Sequence, residues 1–188
     1  MSYDLYLFLE VADGDQLNTA RSKLNVESDV INPGPLNPDS EAQKQTLMTA
    51  LIVENPQLQP FEFEYPQIAR MKGITESEAR IEFRHIELSG PDNGNGIQIV
   101  LFDDNVTVTI PYWHQPPAAV KVFEEVWRYL HVMMRTSRFF VYDPQLDRVL
   151  NVVVDQPAVL KKYGGTVAKI PQIVAQAKAN RRAWWKFW

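Results

Sequence analysis

The sequence predicts an α+β fold, helices packed on a mostly antiparallel sheet, with a helical C-terminal extension. Three observations predict it. Strand candidates follow one another between residues 81 and 112 with only short turns between them. One long amphipathic helix follows them, and strands and helices mix elsewhere without the strict alternation that builds parallel sheets. A chain of 188 residues with 45% hydrophobic and 22% charged residues supports a single core. We divide it into an α+β domain over 1–155 and an extension over 156–188 that carries the basic aromatic tail.

Tyr3 to Leu9 is apolar on both alternating faces, the pattern of a central strand covered on two sides. Gly14 to Asn25 forms a short helix, and the prolines and glycine from Asn32 to Pro38 break regular structure. Asp39 or Ser40 caps a helix from Glu41 to Val53, with Leu47, Met48, Leu51 and Ile52 on one side. Phe61-Glu62-Phe63-Glu64-Tyr65 alternates as a half-buried strand does, and Pro66 stops it. Gln67 to Met71 gives a short helix ended by Gly73, and Thr75 to Glu78 has capping-box spacing for another turn. Ile81 to Leu88, Ile97 to Phe102 and Val106 to Tyr112 then form an antiparallel meander. Pro116-Pro117 opens the strongest helix, its stripe running through Val120, Phe123, Val126, Trp127, Leu130, Met133 and Met134. Two strands follow, Phe139 to Tyr142 and Arg148 to Val154, joined by the Asp143-Pro144-Gln145 turn. Asp155 starts another helix, Gly164-Gly165 breaks it, and a last helix runs from Thr166 to Asn180.

Composition narrows the function classes. The absence of cysteine removes disulfides, thiolate metal sites and cysteine nucleophiles, and fits a cytoplasmic location. The first residues lack the basic and apolar regions of a secretory signal and read as the start of a mature chain. No apolar run has the length of a membrane span. Seven of the 19 Lys and Arg residues follow Asp155, the last acidic residue, so 23 acidic residues stand against 12 basic ones before it. An acidic body with a basic tail argues against nucleic acid as a partner of the domain, because phosphate recognition needs a basic surface.

Tyr3-Asp4-Leu5-Tyr6, the proline-rich approach to the long helix, and Phe140-Val141-Tyr142-Asp143-Pro144-Gln145 together resemble a set of small bacterial proteins of no assigned activity. Some of these are similar to immunity proteins, which protect a cell from toxins made by its own kind. The resemblance implies a soluble α+β binder and assigns no catalytic residue.

His85, His114 and His131 are the only histidines, and no metal-type spacing links them to each other or to a carboxylate on a helix, so we expect neither a metal nor a cofactor. His85 shares a strand face with Glu87. Asn93-Gly94-Asn95-Gly96 links two strands and lacks a lysine, which makes it a turn rather than a phosphate loop. His85, Trp113 and His114 are the candidates for a pocket. The strongest binding candidate is Arg181-Arg182-Ala183-Trp184-Trp185-Lys186-Phe187-Trp188, since three of the five tryptophans fall in the last five residues. Folding back on the domain, insertion into a partner protein or a twin subunit, and contact with an anionic membrane surface all suit such a segment. The reading that joins these features is a stoichiometric protein-binding module of the immunity-inhibitor type, not an enzyme. A small enzyme with a site near His85 and His114, and a peripheral membrane protein anchored by the tail, are the alternatives.

Overall fold

The structure, a computed structural model, describes residues 1–10, 14–25, 35–91 and 94–173. Its elements in chain order are β1 (Ser2–Leu9), α1 (Gln16–Asn25), α2 (Pro38–Glu54), β2 (Gln59–Pro60), α3 (Tyr65–Lys72), α4 (Glu76–Glu82) and β3 (Ile86–Ser89). They continue with β4 (Gln98–Leu101), β5 (Asn105–Pro111), α5 (Ala118–Thr136), β6 (Phe139–Asp143), β7 (Arg148–Leu150) and α6 (Gln156–Val167). All seven strands form one antiparallel sheet in the order β2-β3-β4-β5-β1-β6-β7. This is the α+β architecture the sequence predicts.

The two-faced apolar pattern of β1 is explained by its position between β5 and β6. Tyr3, Leu5 and Leu7 enter the main core, under α2, α5 and α6. Phe8 faces the other side, where α1 lays Ala20 over a second, smaller cluster of Phe8, Phe140 and Tyr142. Helix α5 supplies most of the main core from one stripe: Ala119, Val122, Phe123, Val126, Trp127, Leu130 and Met133 are all buried. Val120, expected in that stripe, lies one position off it and is 41% exposed.

Several expectations need correction. Phe61 to Tyr65 is not a strand; β2 covers only Gln59–Pro60, and Phe61 adds one more bond, its N–H donating to the Glu87 carbonyl (2.8 Å). Tyr65 already opens α3, because Pro66, which lacks a donor N–H, suits the first turn of a helix as well as the end of a strand. The capping box at Thr75 is formed, and it launches two full turns that consume Ile81 and Glu82, so the strand begins only at Ile86. Asn37, rather than Asp39 or Ser40, caps α2, its side chain accepting from the Asp39 N–H (3.0 Å). Gly164-Gly165 lies inside α6; the helix ends at Val167, and residues 170–173 are helical again. Beyond Asp155, Val159, Tyr163 and Val167 of α6 belong to the main core. No helix among the described residues is long and apolar enough to cross a membrane.

Candidate functional site

The register of the sheet separates the two candidate histidines. Ile86 pairs with Leu101 and Leu101 with Val106, so His85 stands at the end of the sheet where β5 begins. His114 follows the other end of β5, beyond Pro111, which pairs with Ser2. At about 3.3 Å per residue the length of β5 puts on the order of 20 Å between them, and they do not share one site. His131 is exposed on α5.

At the first end, His85 is enclosed by rings: Phe63 edge-on at 4.9 Å, Phe102 at 5.3 Å and Phe83 at 6.1 Å. Its Nε2 meets Glu87 Oε1 at 2.9 Å, the shared face the alternation predicts, while Nδ1 is buried without a hydrogen-bond partner. Beside it lies a buried ionic group. Lys44, 1% exposed, donates to Asp103 (2.8 Å) and to the Arg84 carbonyl (2.9 Å) and pairs with Glu41 (2.7 Å). Arg84 grips the other carboxylate oxygen of Asp103 at 2.5 Å. Burial opposes ionisation of Asp103, yet hydrogen bonds from Arg84 and Lys44 outweigh it and hold the carboxyl below its ordinary range. The next residue, Asp104, binds Lys23 of α1 (2.8 Å), so one tight turn ties together helices on both faces of the sheet. Lys44 falls in register with Leu47 and Leu51 on the apolar side of α2, and a lysine in that stripe was the signal of a buried pair.

At the second end, aromatic rings and hydroxyls replace ions. Tyr3 packs edge-on against Phe123 (6.1 Å) and Tyr112 (6.2 Å) and against Tyr163 at 6.0 Å. Its hydroxyl donates to the fully buried Asp143 at 2.5 Å, and burial, with that bond, pushes the phenol far up. Tyr163 donates to the Pro111 carbonyl (2.5 Å) and accepts from the His114 N–H (3.3 Å), tying α6 to the loop after β5. The His114 ring contacts the Asn95 carbonyl through Nε2 at 2.6 Å. Asn95 in turn donates to Glu125 (2.7 Å), which also accepts from Asn55 (3.1 Å) and from Tyr129.

On this base sits Trp113, 65% exposed. Its ring covers Gly96, whose φ of 69° is left-handed and where any Cβ would collide with Cζ2 of the indole. The Asn-Gly-Asn-Gly run is thus a turn, as its context predicts, with a further requirement the sequence did not disclose: the second glycine makes room for the tryptophan. Glu125 and Asn95 were also missed, since nothing local marks a carboxylate that collects donors from α2, the β3–β4 connection and α5.

Among the described residues no group of three His, Cys, Asp or Glu side chains could hold a metal ion. The tail residues Arg181, Arg182, Trp184, Trp185, Lys186, Phe187 and Trp188 lie outside the described residues. Comparison with protein-family models, with curated proteins and with solved structures finds no match to this chain.

Proposed function

We propose that the chain is a stoichiometric protein-binding module, in its concrete form an immunity-type inhibitor that captures a basic protein such as a toxin. One observation carries this reading. Trp113 is two-thirds exposed, yet the loop that holds it is fixed by Gly96, by Asn95 and Glu125 through His114, and by Tyr163. A rigid aromatic group held in water loses little conformational entropy on binding, and tryptophan is enriched among residues that dominate binding energy. The acidic balance of residues 1–155 supplies the complementary field that speeds capture of a basic partner. The basic aromatic run from Arg181 to Trp188 is the second contact segment in this proposal.

The test is pull-down from the source cell with the full chain, followed by native mass spectrometry of the complex. The expected result is a fixed stoichiometry, with affinity reduced about tenfold or more by Trp113→Ala, as for a central aromatic anchor. His131→Ala leaves it unchanged. Replacing Trp184, Trp185 and Trp188 together reads the share of the tail. Capture that is indifferent to Trp113 overturns the reading, and a self-complex or vesicle binding in its place identifies homo-oligomerisation or a membrane surface as the tail's role.

A further inference from the structure

The aromatic cluster around His85 has an uneven relation to positive charge. Phe63 is its hub, meeting Phe61 edge-on at 5.1 Å, His85 at 4.9 Å, Tyr65 at 5.9 Å and Phe83 at 6.1 Å. Two members already carry a cation of the chain itself on their rings. Lys72 Nζ lies 4.8 Å from the centroid of Phe83, and the Arg80 guanidinium lies 4.4 Å from that of Tyr65. These are the distances at which a ring quadrupole attracts a cation. Phe61, the outermost member, is 58% exposed and has no such cation among the described residues.

The backbone fixes where Phe61 stands. Its N–H donates to the Glu87 carbonyl (2.8 Å), directly after the two-residue strand β2 that forms one edge of the sheet. On either side of Phe63 in the sequence are Glu62 and Glu64, both exposed and neither in an ion pair among the described residues, although neighbouring acids are paired: Glu76 with Arg80 and Glu82 with Lys72. An exposed ring with no cation among the described residues, in one short run with two carboxylates unpaired among them, and in a cluster that already carries Lys and Arg on two of its rings, has the chemistry of a receptor for a basic side chain.

We infer that Phe61, Glu62 and Glu64 form a docking surface for an Arg- or Lys-rich segment of a partner protein. This rests on the reading of the chain as a binder of basic proteins and names a further contact surface, apart from Trp113 and the tail. In the complex a guanidinium lies on the free face of Phe61, and neighbouring cations pair with the two carboxylates. The edge-on contact with Phe63 holds the ring in place before the partner arrives, which reduces the ordering cost of binding.

The experiment is an NMR titration of the full isotope-labelled chain with octa-arginine at low salt. The expected result is perturbation centred on the amides of residues 60–65. Phe61→Leu, which keeps an apolar side chain without the ring quadrupole, weakens binding about two- to fivefold. Glu62→Gln with Glu64→Gln weakens it about tenfold and flattens its salt dependence. Both variants alter exposed side chains, and an unchanged thermal transition confirms that they fold. Perturbation centred elsewhere, or equal affinity in the variants, overturns the inference while leaving the binder reading to its own test at Trp113. If replacing Arg181, Arg182 and Lys186 with Ala shifts the Phe61 ring signals with no peptide present, the occupant is the chain's own tail, which also overturns a partner-docking role.

Discussion

The two ends of the sheet solve the same problem with different chemistry. Where β4 turns into β5, buried Lys44 and Arg84 are neutralised by Asp103 and Glu41. At the opposite end, tyrosine hydroxyls do the joining: Tyr3 to Asp143 and Tyr163 to the Pro111 carbonyl. The ionic end pairs its buried cations internally, with its charges turned inward. The tyrosine end spends few charges and leaves a tryptophan outside. The difference teaches that hydroxyls and amides gathered around a carboxylate can support an exposed aromatic side chain with no buried Lys or Arg beneath it among the described residues.

The largest effect that would break this comparison is at Asp103. Asp103→Ala leaves Lys44 and Arg84 facing each other with only Glu41 between them, and removing one side of a buried pair costs about 3–5 kcal/mol. Urea unfolding measures it; a loss below about 1 kcal/mol would show that water relaxes into the gap and that the end is not truly closed. Next comes Tyr3→Phe, which strips a donor from the buried Asp143 carboxylate and is expected to cost about 1–3 kcal/mol by the same measurement.

A smaller effect sharpens the account of the tryptophan. Gly96→Ala meets both a left-handed backbone and the indole, and the first alone costs about 1–2 kcal/mol. In a Trp113→Ala background the collision with the indole is gone, leaving the backbone part and a close approach to Pro111 Cγ at 3.0 Å, so the double-mutant cycle should show coupling of about 0.5 kcal/mol or more. Additive costs would mean that the ring is not held by the glycine.

The smallest expected effect is in pH, and the two ends differ in sign. Asp103 has a depressed carboxyl, so its contribution is complete above the unfolded value of about 3.9 and is lost as pH falls through the lower folded value. At Asp143, burial outweighs the hydrogen bonds from Tyr3 and from the backbone of Leu146 and Gln145, and the carboxyl is raised. Its folded form binds a proton more readily than its unfolded form, so its contribution falls as pH rises from about 3.9 through the raised folded value. Stability measured between about pH 6 and pH 3 should therefore lose less on acidification in Asp103→Asn and more in Asp143→Asn. Equal slopes in the two variants would remove the contrast.

Much of this architecture was legible where burial imposes a period. The stripe of α5 and the double-sided apolar run of β1 report their surroundings directly, because each such position faces a core. Phe61 to Tyr65 misled for the same reason in reverse: it alternates as a strand does, but β2 leaves Phe61 beside β3 with its ring in water, and Tyr65 turns into a helix. Gly164-Gly165 misled because tertiary packing of Val159, Tyr163 and Val167 outweighs the low helix propensity of glycine. The candidate site was legible only residue by residue. His85, Trp113 and His114 were each singled out, but whether they meet depends on strand register over β3, β4 and β5, which no local pattern encodes. The clustering of Asn55, Asn95, Glu125 and Tyr129 joins residues 74 positions apart and left no trace in spacing.

Seven strands in a row would ordinarily leave two long borders of unsatisfied amides, an invitation to fibril growth. Here the borders shrink to β2, two residues that include a proline with no N–H to give, and β7, only three residues long. A neighbouring molecule finds only a short template from which to extend the sheet.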